Sequence, residues 1–278
     1  MSVVCLHDKS AIERYLKRDV PLHMYALGDL DDFFWPYTQW YGLRSNTPDA
    51  DDADDLEAVV LLYVASSVPT LLALGTDPAP LTSLIESIAH LLPERFYAHL
   101  SPGIAPALGH RFRLAEHGPH LKMALTRAGV GSAALRATVD GAATGIGPEV
   151  VRLSTTDLPA LTELYDEAYP ANWFDARMLE TGRYVGIREG SRIVSVAGIH
   201  VYSPRYGVAA LGNITTLPTH RGRGFAGRVT ASLCSILTDE GLDVGLNVKA
   251  DNAAAIACYR RIGFVTIAEY EEYEVSRA

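Results

Sequence analysis

The sequence predicts a mixed α/β protein built from two successive domains, and three observations carry that reading. The chain has 278 residues, enough for two domains of ~100–200 residues each. Short apolar runs of strand length alternate with amphipathic helical stretches, so sheet and helices share one layered arrangement with helices on both faces. A Gly- and Ala-rich stretch from Ala128 to Pro148, holding Gly129, Gly131, Gly141, Gly145 and Gly147, interrupts the pattern, which then starts again. The expected division is a first domain over 1–128, a linker over 129–147 and a second domain over 148–278.

The first half opens with an apolar strand, Val3 to Leu6. Ile12, Tyr15 and Leu16 then recur at helical spacing between Lys9 and Asp19. After the aromatic run Phe33 to Tyr37, a strand is expected over Gln39 to Leu43. The acidic run from Pro48 to Glu57 suits an exposed hairpin tip. Strands follow at Ala58 to Val64 and Pro69 to Leu74. Leu81, Leu84, Ile85, Ile88, Leu91 and Leu92 mark an amphipathic helix, and a strand is expected over His120 to Leu125.

The second half repeats the grammar. Glu149 to Leu153 suits a strand, and Thr156 or Asp157 can cap a helix that carries Leu158, Leu161, Leu164 and Tyr165. Asp175 to Leu179 suggests a short second helix. Strands are expected at Tyr184 to Arg188, Ile193 to His200 and Val208 to Leu217. Next come a helix from Gly224 to Asp239, a strand from Val244 to Val248, a helix from Asn252 to Ile262 and a strand from Phe264 onward. The order is β-α-α-β-β-β-α-β-α-β.

Composition limits the partners. A net charge of −9 argues against a nucleic-acid-binding body, because phosphate backbones favour a basic face. Cys5, Cys234 and Cys258 have no metal-like spacing, so no metal is expected. Cys234 and Cys258 fall in helical patterns as small buried hydrophobes, which suits a reduced, cytoplasmic compartment. Neither a signal peptide nor a membrane-spanning apolar stretch is expected.

The stretch richest in chemistry is Leu217-Pro218-Thr219-His220-Arg221-Gly222-Arg223-Gly224-Phe225-Ala226-Gly227. It leaves a strand, turns through glycines and enters a helix. Glycines let the backbone approach a ligand, and a helix N-terminus offers unpaired N–H groups with about half a positive charge. Arg221 and Arg223 add mobile positive charge, so the turn suits a pyrophosphate. Downstream, Asn252 to Phe264 places Asn252 and Tyr259 on one helix face about 10 Å apart, with Gly263 as a left-handed stop. Asn252 also reads as an N-cap, and Tyr259 as part of a packing face with Ile256 and Ile262. The first half contains a similar strand, loop and helix (Leu71 to Leu92), but its loop, Gly75 to Pro80, has no basic residue and two prolines. If it is a copy, it has lost anion binding.

The two signals in this order resemble the GNAT superfamily of N-acetyltransferases. Its pyrophosphate loop, Gln/Arg-x-x-Gly-x-Gly/Ala, is met by Arg221, Gly224 and Ala226, and its Asn-x₃-Ala-x₃-Tyr helix by Asn252 and Tyr259, with Gly263-Phe264 following. Ala255 stands three places and Tyr259 seven places after Asn252, each one short of that spacing. The tandem arrangement, with Asp29-Leu30-Asp31-Asp32 and the aromatics of the first half, is similar to the glycine-N-acyltransferase-like branch, in which a degenerate GNAT-like domain precedes the active one.

The resemblance implies an acetyl-CoA site. Pantetheine would run between the Val208–Leu217 and Val244–Val248 strands along the backbone of Ile214, Thr215 and Thr216. The pyrophosphate would rest on Arg221, Gly222, Arg223, Gly224, Phe225, Ala226 and Gly227, and Asn252 would hold cofactor backbone or a water. Tyr259 would serve the departing sulfur as acid, and a backbone N–H near Thr216 would polarise the thioester. Many relatives carry a glutamate on the strand before the loop where this chain has Asn213, which leaves the base to a water chain, to His200 or to an amine already neutral. The acceptor, a small-molecule amine or amino acid, would meet Tyr169 to Phe174, although Trp173 and Phe174 fit core packing equally well. A homodimer is left open.

Two other readings compete. Gly222, Gly224 and Gly227 spell Gly-x-Gly-x-x-Gly, but in dinucleotide-binding folds the glycines follow the strand almost directly, and here Pro218 to Arg221 intervene. A catalytically silent acyl-CoA-binding sensor or scaffold is the second, motivated by Asn213 and opposed by Tyr259.

Overall fold

The computed structural model describes residues 1–45, 56–65, 67–125, 148–170 and 172–278. The expected acidic hairpin tip, apart from Leu56 and Glu57, and the 129–147 linker lie outside the described residues. The chain divides into two compact units. The first comprises Met1–Lys122, Lys249–Asp251 and Ile267–Ala278; the second comprises Met123–Val248 and Asn252–Thr266.

In the first unit the strands run in the order β1 (Ser2–Leu6), β2 (Thr38–Arg44), β3 (Leu56–Tyr63), β4 (Thr70–Ala73), β5 (Arg95–Leu100), then the C-terminal strand β12 (Phe264–Arg277) and β6 (Phe112–Leu125). β4 and β5 are parallel, from Thr70 opposite Tyr97 to Ala73 opposite Leu100, and α3 (Pro78–Ile88) makes the crossover. Leu81, Leu84, Ile85 and Ile88 all face the sheet from α3, as the 3.6-residue spacing dictates, and pack with Val60, Leu62, Phe96 and Leu100. The long closing strand is divided: from Ile267 onward it belongs to this first unit, pairing with β5 from Glu271 opposite Leu100 to Ser276 opposite Arg95.

Two elements here escaped the sequence pattern. Helix α2 (Val20–Gly28), which follows α1 (Lys9–Leu16), is apolar all round, so it shows almost no amphipathic stripe. Asp19 caps it by accepting from the Leu22 N–H at 3.1 Å. Strand β5 does alternate, with Phe96, Ala98 and Leu100 buried, but it is short and follows Pro93 closely.

In the second unit the order is β11 (Asp243–Lys249), β10 (Val208–Thr216), β9 (Arg192–Ser203), β8 (Tyr184–Glu189) and β7 (Val150–Leu153). Neighbours are antiparallel except β10 and β11, which are parallel and bridged by α5 (Phe225–Asp239). Asp157 is the N-cap of α4 (Leu158–Ala168), one of the two expected positions, but its carboxylate serves the 3₁₀ turn before it, accepting from the Ser154 N–H at 2.7 Å in a capping box. The expected second helix is a 3₁₀ segment, Ala176–Thr181, closed by Gly182 at φ 66°. Six residues between an Asp175 cap and a left-handed stop are too few to sustain an α-helix. α6 (Ala253–Ile262) precedes β12 and ends on Gly263 at φ 118°.

Candidate active site

Parallel pairing of β10 with β11 runs from Val208 opposite Asp243 to Leu211 opposite Leu246. β10 continues to Thr216 and β11 to Lys249. The end of β10 therefore presents Gly212 to Thr216 beyond the paired span, with Ile214 part-exposed. Ser195 of β9, fully buried, secures this end through a 2.8 Å bond between its hydroxyl and that of Thr216, and a 3.3 Å bond to the Thr215 carbonyl. Arg221 Nε donates to the Thr216 carbonyl at 3.2 Å, so this side chain folds back onto the strand end.

The turn beyond is shaped by Gly222 (φ 77°) and Gly224 (φ 78°), both left-handed, where an L side chain is strained. A Cβ at either would meet nothing within 4 Å, so conformation rather than crowding demands glycine, and the space above the turn is open. Gly224 is the N-cap of α5 and supplies no capping side chain. The N–H groups of Phe225, Ala226 and Gly227 thus open a fifteen-residue helix with its positive dipole end towards that space. At Gly227 α5 faces α6: a Cβ there would lie 3.4 Å from Cys258 Sγ, at ordinary contact distance. Arg223 is exposed and sits 3.7 Å from Glu189, which also meets His220 at 3.1 Å. This fits a diphosphate: open donors, a positive helix end and guanidinium groups at the rim.

Tyr259, on α6, is only 9% exposed, and its hydroxyl makes no hydrogen bond among the described residues. Burial pushes its phenol pKa above the ordinary value, with Cys258, Tyr169 and Cys234 acting in the same direction. The group therefore stays protonated and available as a donor. Asn252 is exposed and caps α6, its Oδ1 accepting from the Ala255 N–H at 3.1 Å.

Sequence reasoning missed a buried aromatic cluster beside Asn213. Asn213 stands at φ 54°. Its carbonyl accepts from the Tyr165 hydroxyl at 3.0 Å and its side-chain amide donates to Tyr184 at 3.5 Å; the Tyr184 hydroxyl donates to the Ile199 carbonyl at 3.2 Å. Phe174 lies between Tyr165 (ring centroids 5.0 Å) and Tyr184 (5.8 Å), while Trp173 is 46% exposed. The two neighbours thus part company: Phe174 packs inward and Trp173 faces solvent.

The FR47-like protein family model matches residues 184–273. The [ribosomal protein bS18]-alanine N-acetyltransferase of Salmonella typhimurium is 32% identical over 117 residues, 40% of this chain and 77% of that protein. The chain belongs to the GNAT superfamily of N-acetyltransferases. It spans only 28% and 34% of two longer curated relatives that it matches. A GNAT-family protein from Novosphingobium aromaticivorans superposes with a TM-score of 0.64 at 21% identity, over 94% of this chain and 100% of that one. A tandem GNAT protein from the clavulanic acid biosynthesis pathway gives a TM-score of 0.58 at 14% identity, over 99% and 98%. The likeness to these two structures thus extends over the first unit as well as the second. Among the residues that sequence reasoning missed here, Ser195 had a signal in sequence, a hydroxyl inside the apolar run Ile193 to Ile199.

Proposed function

We propose that the second unit binds acetyl-CoA and moves its acetyl group to the amine of a small molecule or amino acid by direct attack on the thioester. The first unit is then a degenerate GNAT-like domain, as in the glycine-N-acyltransferase-like branch. The observation that carries this reading is the N-terminus of α5, where two left-handed glycines leave three N–H groups without a capping side chain.

Arg221, Gly222, Arg223, Gly224, Phe225, Ala226 and Gly227 hold the diphosphate, and the backbone of Ile214, Thr215 and Thr216 aligns the pantetheine arm. Asn252 contacts cofactor backbone or a water while it caps α6. Tyr259 donates its proton to the leaving sulfur; the raised pKa keeps that proton in place until a thiolate forms. A small α-amine of pKa about 8 enters neutral far more readily than a lysine side chain at about 10.4. Calorimetric titration with acetyl-CoA, with NAD as comparison, tests the first half of the reading. Release of free thiol in the presence of amino acids and small amines tests the second. Tight acetyl-CoA binding is expected with none for NAD, and thiol release that depends on the amine.

Asn213 favours a second reading, a silent acyl-CoA-binding scaffold, because its amide is committed to Tyr184 and cannot take a proton. Strong cofactor binding without turnover on any amine would support it.

A further inference from the structure

We propose that His200 receives the proton released by the acceptor amine, an assignment that rests on the acyl-transfer reading above. The β9–β10 ladder contains two irregularities close together. Val201 faces Ala210 and Ile199 faces Leu211, so His200 is an extra residue bulged out of β9. Gly198 faces Gly212 and Val196 faces Thr215, so β10 carries an extra residue within Asn213-Ile214. Paired bulges of this kind re-aim side chains, and here they flank the left-handed Asn213.

The two opposed glycines show where the rings go. A Cβ on Gly212 would lie 2.0 to 2.5 Å from atoms of the His200 ring, and one on Gly198 would lie 2.1 to 2.7 Å from the Tyr184 ring. Directly opposed residues on paired strands project their Cβ positions to the same face. His200 and Tyr184 therefore share a face, and the imidazole fills the place that a side chain of β10 would take. It is the face on which Phe174 packs against Tyr184 and Tyr165 reaches Asn213, so His200 lies on the side of Phe174. Tyr169 in turn adds to the rise in the Tyr259 pKa. His200 retains part of its surface exposed, and burial lowers its pKa to about 4, which leaves the imidazole neutral and able to accept.

Atoms and protons balance in this scheme. The amine lone pair forms the C–N bond, and the C–S bond breaks with its electron pair on sulfur. His200 takes one proton from nitrogen, Tyr259 gives one to sulfur, and exchange with solvent resets both. The test compares wild type with His200→Gln and His200→Ala, using acetyl-CoA and amines of graded basicity. The expected result is a loss of about 100-fold in kcat with the acetyl-CoA dissociation constant unchanged. The loss should shrink for weakly basic amines, which shed the proton without help. Circular dichroism and retained acetyl-CoA affinity identify folded variants; if His200→Gln does not fold, His200→Asn is measured in the same way. Near wild-type kcat in a folded variant, or an equal loss across all amines, overturns the assignment to His200 alone. A wild-type protein that binds acetyl-CoA but turns over no amine overturns the acyl-transfer reading and this assignment together.

Discussion

Each unit contains a parallel strand pair bridged by a helix, β4–α3–β5 in the first and β10–α5–β11 in the second. At the start of α3 the first and third positions are Pro78 and Pro80, which have no N–H, and the Asp77 carboxylate takes the Ala79 N–H between them at 3.0 Å. At the start of α5 the cap is Gly224, without a side chain, and Phe225, Ala226 and Gly227 all carry N–H groups. One supersecondary unit is thus sealed by its own carboxylate while the other is left open to a foreign anion. Topology alone does not make an anion site; the residues of the helix's first turn do.

The largest effect that can break this comparison lies in the open unit. Tyr259→Phe should lower kcat by about 100-fold or more while acetyl-CoA affinity stays within twofold, because the proposed general acid acts on the chemical step. Thiol-release kinetics beside calorimetry would separate the two. Next comes a transplant of the sealed state into the open one. Gly224→Asp should weaken acetyl-CoA binding by about 10- to 100-fold, since a carboxylate would both occupy the helix donors and repel the diphosphate.

The third prediction concerns acid. His23 in the first unit is 8% exposed, and burial, assisted by Lys122, lowers its pKa to about 4. The unfolded chain therefore binds more protons than the folded one between pH 6.5 and 4. Stability should fall as pH drops through that window, by about 1–2 kcal/mol at pH 5 for this group. Urea unfolding of wild type and His23→Asn at pH 7 and 5 would show whether the slope flattens. The smallest effect is Asp77→Ala, expected to cost about 1 kcal/mol of stability by loss of the α3 cap, with acetyl-CoA binding unchanged. Any gain of acetyl-CoA affinity in the first unit would mean that the Asp77 carboxylate alone had closed that site.

Local structure was legible in the chain. The turn from Arg221 to Gly227 could be placed because glycine at positive φ and proline-free helix starts are short-range properties. Tyr259 could be placed because a helix repeats every 3.6 residues. Helix α2 was hidden for the opposite reason: burial on every side erases the periodicity by which a helix announces itself. The closing strand gave no sign that Ile267–Ala278 belongs with the first unit, since pairing of Glu271 with Leu100 joins residues far apart in sequence.

The sequence by itself determined the element order of the second unit, the open helix start and the helix that carries Tyr259. Only tertiary structure decided that His200 lies over Gly212, that Tyr165 and Tyr184 grip Asn213, and that Phe174 turns inward while Trp173 stays at the surface. Strand register accounts for the difference. A bulge exists only relative to a partner strand, so which side chain fills the space above a glycine is fixed by pairing, and no residue carries that information alone.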